Sequence, residues 1–406
     1  MTGNPAYESL GVPTVINAAG TKTRVGGSRI RDEALEAMRH AADSFVRLSD
    51  LQAVASTRIA EITGSEAGYV TNGAAGGLLL AAAACIAGTD PGIMARLPDT
   101  EGIADEIIMP RTHRTEYDHA FRTAGATIVD IGTNDTYLGT GSRDVERWEY
   151  TTAISEDTVA VGHVYKSYGS PPLTEVCEIA HEHDIPVIVD AAAEVPPVDN
   201  LSWFIDQGAD LVVFSGGKGI RGPQTTGILA GRKDLVESVA FQQLDMHAAD
   251  EVWDPPKELY DSDKIDGVPR QGVGRPLKVG KEEIAGLLRA LECFLEEDHD
   301  QRMSEWTTRA RYMATELDEL EDVSTELREG QKSVATEVAV FLKEDAAPLS
   351  TRELVRALRR ENPRVFVGAD NVDERQLTVN PMCLSDTEAE YVVERITEYL
   401  RPKAGD

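Results

Sequence analysis

Ala209-Asp-Leu-Val-Val-Phe-Ser-Gly-Gly-Lys-Gly-Ile-Arg-Gly-Pro-Gln-Thr-Thr-Gly-Ile-Leu-Ala-Gly231 is the stretch whose reading decides the fold. Leu211 to Phe214, with the flanking Ala209, form an apolar run that predicts a strand buried on both faces. The run passes straight into Ser215-Gly-Gly-Lys-Gly219, so a lysine stands at the mouth of a sheet. The glycines allow close approach of a flat ligand, and Pro223 fixes a turn before a second short strand over Thr226–Ala230. A solvated lysine in a surface loop is the plainer reading of a lone Ser-Gly-Gly-Lys.

The upstream run Ile185-Pro-Val-Ile-Val-Asp190 argues against the plainer reading, because it predicts another buried strand and ends on a carboxylate. An aspartate there needs a cationic or protonated partner, since an isolated buried charge is costly. A strand-end aspartate followed by a strand ending in Ser-x-x-Lys is what a pyridoxal 5'-phosphate (PLP) site requires. Asp190 would keep the pyridine nitrogen protonated. Lys218 would carry the cofactor covalently and later act as a base, its pKa lowered by desolvation. Upstream, Thr71-Asn-Gly-Ala-Ala75 leads from a short strand into an apolar helix. The free N–H groups at that helix start suit the cofactor phosphate, with Thr71, Asn72, Gly73 and Ala74 as the cup.

Phe214-Ser-Gly-Gly-Lys-Gly-Ile-Arg-Gly-Pro-Gln224 resembles the lysine motif of the selenocysteine synthase (seryl-tRNA selenium transferase) group of fold-type I PLP enzymes, a group that includes ammonia-lyases acting on glucosaminate-type sugar amino acids. The Gly-Pro-Gln after the lysine is the more specific part, and the likeness runs from about Val12 to Leu400. The resemblance implies an α/β, fold-type I transferase fold: a mainly parallel sheet with helices on both faces and a smaller C-terminal α+β domain. The expected divisions are an N-terminal arm and helix over 1–50, a PLP-binding domain over 51–280, and long helices with the small domain over 281–406.

The same resemblance suggests further site residues. His113, in the loop after the strand Asp105–Pro110, would lie over the pyridine ring, with His119 as second choice. Arg111 and Arg122 match arginines of the selenocysteine synthases, whereas His113 replaces an acidic residue there and leans toward the lyase branch. His163, at the end of the strand Thr158–Val164, would face the cofactor's phenolic oxygen or a substrate hydroxyl. Ser215 adds a cofactor contact. Arg270–Lys281 is the only locally basic run. Its Arg275 and Lys278 are candidates for a phosphate or substrate, in a loop that commonly reaches the neighbouring subunit's cofactor. Arg375 is the nearest candidate for the substrate carboxylate, although the position expected for that arginine falls nearer Thr378.

Composition sets limits on partners. Lys and Arg number 40 against 70 Asp and Glu, for a formal net charge of -30. With only 11 lysines, this is the surface of a halophilic protein, on which carboxylates hold water while salt screens their repulsion. Nucleic acid normally demands a basic face and is not expected as a partner. The Asn17-Ala-Ala-Gly turn also begins almost at once, where the selenocysteine synthases carry a tRNA-engaging domain. Four scattered cysteines lack Cys-x-x-Cys spacing and read as reduced thiols rather than a metal site. No apolar run reaches the ~18–20 residues of a membrane span, so the expectation is a cytoplasmic enzyme.

These features together predict a PLP-dependent lyase or dehydratase that removes water and ammonia from a β-hydroxy-α-amino acid, such as glucosaminate or its 6-phosphate, leaving a 2-oxo acid. Lys218 would take the α-proton, and His113, His163 or a phosphate would assist the departing hydroxyl. A seryl-tRNA selenium transferase, an aminotransferase, a racemase, an aldolase or a PLP-fold module without turnover are the alternatives. A homodimer or larger symmetric assembly is expected, with a small amino acid or sugar amino acid as the other partner.

Overall fold

Runs of β-branched and aliphatic residues separated by amphipathic helices build the sheet of this protein, whose computed structural model describes residues 4–132, 145–167, 169–245, 247–265, 267–268, 270–329, 334–343 and 347–401. The strands are β1 (Val15–Ala18), β2 (Ala67–Asn72), β3 (Glu106–Pro110), β4 (Thr127–Ile131), β5 (Thr158–Val164), β6 (Val187–Asp190), β7 (Leu211–Ser215), β8 (Thr226–Gly231), β9 (Val323–Arg328), β10 (Glu337–Leu342), β11 (Arg364–Val367) and β12 (Gln376–Val379). The chain divides into two compact units, residues 30–296 and residues 1–29 with 297–406.

In the first unit seven strands form one sheet in the order β2-β8-β7-β6-β5-β3-β4. Only β8 runs antiparallel to its neighbours, so the α/β architecture is as the sequence predicts. Alternation along the strands divides the core between the two faces. Val187, Val189, Val212 and Phe214 enter one hydrophobic cluster, whereas Ile188, Leu211 and Val213 enter the other. Helices cover both faces, as parallel strands buried on two sides require. The helix Leu173–His181 turns Val176, Cys177, Ile179 and Ala180 into the first cluster. The helix Gly73–Ala87 lines the second, and a Cβ at Gly77 would stand 2.9 Å from Val213 Cγ1. Glycine there lets the helix lie close on the sheet.

The second unit carries the antiparallel sheet β12-β10-β9 and the two-stranded parallel pair β1-β11. Register places Val15 opposite Arg364, pairing the two ends of the sequence. Its helices include His299–Asp318, Thr351–Leu358 and Asp386–Leu400; the last two begin on capping boxes made by Ser350 with Glu353 and Ser385 with Glu388. The sequence pattern predicts helix to roughly Glu321 and the next strand from Ser333. Instead the second long helix ends at Asp318 and β9 intervenes. Its Val-Ser-Thr-Glu-Leu-Arg sequence is polar because it is an edge strand, and charged side chains are usual there. Ser333, like residues 142–144 of the helix expected near Ser142–Ala153, lies outside the described residues; that helix is described over Arg147–Ala153.

Candidate active site

Sheet register brings the predicted residues to one edge. Thr71 stands opposite Gly227, and Gly227 opposite Ser215. Val213 stands opposite Asp190, and Asp190 opposite Val164. The carboxyl ends of β2, β7, β6 and β5 therefore deliver Asn72, Ser215, Asp190 and His163 to the same side, where open α/β sheets bind ligands.

The lysine loop is tightly closed. Gly222 N donates to Gly216 O at 2.8 Å, Arg221 N to Lys218 O at 3.1 Å, and Gly216 N to Thr226 O at 2.9 Å. A Cβ at Gly219 would stand 2.1 Å from Val195 O, and one at Gly217 would stand 2.6 Å from Gln224 Cα. Gly219 is required because the segment after β6 packs directly on the Lys218 loop, and Gly217 because the loop folds back on its own Gln224. Lys218 itself is half-buried.

Asp190 ends β6, its Oδ1 accepting from Ala192 N at 3.0 Å. Burial raises its pKa, while that hydrogen bond and the charge of Lys218 pull it down. Glu194 stands nearby: burial and the repulsion of Asp190 raise its pKa, and Lys218 opposes them. Its backbone is fixed by Glu194 N donating to Ala191 O at 3.1 Å and by Asn200 Nδ2 donating to Glu194 O at 2.6 Å.

His113 and His163 meet edge to face, ring centroids 4.5 Å apart at 87°. Both are buried. Val164 N donates to His113 Nδ1 at 3.3 Å, which makes that nitrogen an acceptor. Burial first, then the charges of His163 and Lys166, hold His113 down at a pKa of about 3; burial and Lys166 hold His163 at about 4. Both rings are neutral at ordinary pH. His119 instead starts the helix His119–Thr123 at an exposed position, its Nδ1 3.0 Å from Thr123 Oγ1.

Around the helix Gly73–Ala87, Asn72 takes the N-cap position without a side-chain cap, its Nδ2 donating instead to Lys278 O at 3.0 Å. Gly73 adopts a φ of 66°, and a Cβ at Gly227 would stand 2.5 Å from its carbonyl carbon. The first turn thus presents backbone N–H groups with no side chain over them. Arg275 and Lys278 line a cavity of about 560 Å³ with Gln52, Gln243 and His247.

Two further predicted residues remain. Arg111 is exposed and pairs with Asp130 at 3.1 Å, beside Arg114, which reaches the same carboxylate at 2.7 Å. Arg375 belongs to the other compact unit, at a left-handed turn before β12. Sequence reasoning missed Glu194 and Lys166. Lys166 follows His163 by three residues, and its Nζ donates to Thr112 O. In a chain with so few lysines, one just past a strand end was the available signal.

This edge fits PLP. It offers a lysine in a glycine-lined loop, a strand-end carboxylate, and an uncapped helix start for a phosphate. His163 Nδ1 adds a buried polar atom that has no partner among the described residues. Among the described residues no group of three His, Cys, Asp or Glu is placed to hold a metal, and no helix is long and apolar enough to cross a membrane.

Comparison with known proteins follows the same lines. Residues 15–249 match the family described as SelA, L-seryl-tRNA selenium transferase. The chain is 32% identical over 98% of its length to a 5'-C-glycyluridine monooxygenase-decarboxylase of Streptomyces sp, covering 93% of that protein. It is 26% identical to the D-glucosaminate-6-phosphate ammonia lyase of Salmonella typhimurium, over 98% of each chain. A solved structure of D-glucosaminate-6-phosphate ammonia-lyase superimposes with a TM-score of 0.79 at 26% identity, covering 98% of this chain and 100% of that one.

Proposed function

The chain belongs to the L-seryl-tRNA selenium transferase (SelA) family, and from that premise we propose that it is a PLP-dependent lyase releasing ammonia and a 2-oxo acid from a β-hydroxy-α-amino acid with a sugar-derived chain. The observation that carries this reading is the end-to-end likeness to D-glucosaminate-6-phosphate ammonia-lyase. The cofactor is PLP, and the enzyme uses it at the sheet edge that holds Lys218 and Asp190.

When bound, PLP draws off the electron pair left at the substrate α-carbon. The chain's own groups do the rest. Lys218 holds the cofactor and, once free, takes the α-proton. Asp190 would face the ring nitrogen and favour its protonated form. The N–H groups at Gly73 and Ala74 hold the phosphate. His113 would cover the ring, and His163 would use the Nδ1 that has no partner among the described residues toward the phenolic oxygen or a substrate hydroxyl. Neutral imidazoles at those positions orient through hydrogen bonds without adding charge.

A second reading rests on the Streptomyces relative, whose name denotes an oxidative decarboxylation of a glycyl nucleoside. Both relatives' named substrates are α-amino acids on an oxygenated sugar framework, so the substrate class is shared while the outcome differs. The test is an assay of the PLP-loaded protein in high salt against D- and L-serine, threonine, glucosaminate and its 6-phosphate, with Lys218→Ala as control. Ammonia and 2-oxo acid in equal amounts, absent in the control, support the lyase. Oxygen uptake with carbon dioxide release moves the enzyme to the second reading, and transfer to seryl-tRNA moves it to the transferase.

A further inference from the structure

Most cations near the sheet of this acidic chain are matched with carboxylates. Arg114 pairs with Asp118 and Asp130, Arg232 with Asp210 and Asp234, Lys264 with Glu237, and Lys281 with Glu282. Lys166 is not. It is half-buried, its ammonium donates to a backbone carbonyl, Thr112 O, and among the described residues no carboxylate reaches it. The surroundings are the neutral rings of His113 and His163. Burial disfavours its charge and lowers its pKa. A cation kept in such a place is stabilised when an anion arrives.

The location says which anion. Tyr165 N donates to Asp190 O at 3.1 Å, so Lys166 follows directly on a residue bonded to the strand end that carries Asp190. The helix start suited to the cofactor phosphate follows β2, four strands from β5 in the sheet order. The phosphate has its own donors there, at Gly73 and Ala74, and does not need Lys166. The anion at Lys166 is therefore a group of the substrate. The position expected for a carboxylate arginine is held by Thr378 and the candidate Arg375 belongs to the other compact unit, whereas Lys166 is a half-buried cation at the sheet edge itself.

We propose that Lys166 binds the α-carboxylate of the substrate, with the His113–His163 pair as the neutral wall of that subsite. The inference rests on the reading of the enzyme as acting on an α-amino acid. It does not depend on which reaction follows.

The experiment uses holoenzyme and follows binding through the cofactor's visible absorption, comparing L- and D-serine with 2-aminoethanol, and glucosaminate with 2-amino-2-deoxyglucitol. The second member of each pair lacks the carboxylate. Lys166→Met should weaken binding of the amino acids by about 30-fold or more while leaving the carboxyl-free amines within about twofold, because only the former lose a buried charge pair. Lys166→Arg should restore most of the preference. Equal weakening of acids and amines would show that Lys166 only braces the Thr112 loop and would overturn the proposal. An unchanged preference in Lys166→Met, or a wild type with no preference for the acids, would overturn it as well. A wild type that releases no ammonia, yet prefers the acids and loses that preference in Lys166→Met, would instead count against the lyase reading and leave this one standing.

Discussion

Two aspartates mark the opposite edges of the same sheet, and they are treated differently. Asp210, just before β7, is buried and saturated: His181 Nε2 lies 2.8 Å from its Oδ2, Val187 N donates to it at 2.8 Å, and Arg232 Nη1 reaches Oδ1 at 3.3 Å. Asp190, at the end of β6, has the Ala192 amide as its hydrogen-bond donor among the described residues. The amino edge supplies its own counter-charges, and at the carboxyl edge the Asp190 carboxylate and the His163 imidazole are under-satisfied among the described residues. A protein keeps unfilled polar groups where a ligand will fill them. On the proposed function the amino edge is structural and the carboxyl edge is chemical.

Substitution at Lys218 tests that division most severely. Lys218→Ala should abolish borohydride-trappable cofactor and lower turnover by about 10⁴-fold or more, since it removes both attachment and base. Intact trapping in this variant would place the attachment elsewhere. Next comes a crossed pair. Asp190→Asn should cut turnover by about a hundredfold with little change in unfolding free energy, because it removes a charge aimed at the reacting group. Asp210→Asn should do the reverse, losing about 1–3 kcal/mol in denaturant unfolding as its buried donors lose their acceptor, with turnover unchanged. If both variants showed the same profile, the distinction between the edges would fail.

How much of this division was legible in the sequence follows from the range over which each feature acts. β5 has the predicted bounds, Thr158–Val164, because a short apolar run is a local signal. Asp190 and Lys218 could be singled out because each ends a buried run. β9 could not, because a polar edge strand has no apolar pattern to read. The pairing of β1 with β11 joins residues about 350 positions apart, beyond any local pattern. Glu194 and Lys166 depend on the course of loops after their strands, and Arg111 on Asp130 lying one strand away. Charge partners of this kind are set by tertiary packing.

Acid titration sharpens the contrast with a smaller effect. His113 and His163 have folded-state pKa values of about 3 and about 4, below the ordinary histidine value of 6.5. The unfolded chain therefore binds protons before the folded one does, and these rings cost stability as pH falls through 6.5 toward 4. Above pH 6.5 they are neutral in both states and contribute nothing to the slope. Apo-protein carrying His163→Asn should lose on the order of 2 kcal/mol less than wild type between pH 7 and pH 4.5 in matched denaturant titrations. The carboxylates common to both proteins cancel in that difference. Parallel curves for the two proteins would mean that His163 is open to protons in the fold, which its burial argues against.

The smallest expected effect lies at the amino edge, at Asp234. Arg232 reaches it at 2.7 Å, but its side chain is 42% exposed and that of Asp234 is 56% exposed, so water competes for the pair. Asp234→Asn should cost less than about 1 kcal/mol, and less still in high salt, as for exposed pairs generally. The same Arg232 also donates to the buried Asp210, and that second contact gives the variant its use. If Asp234 merely decorates the surface, its removal leaves Arg232 on Asp210, and Asp210→Asn costs the same in either background. If Asp234 holds the guanidinium in place, the two substitutions are coupled in a double-mutant cycle. Coupling would make the amino edge a braced network, with saturation of its buried aspartate maintained from the surface inward.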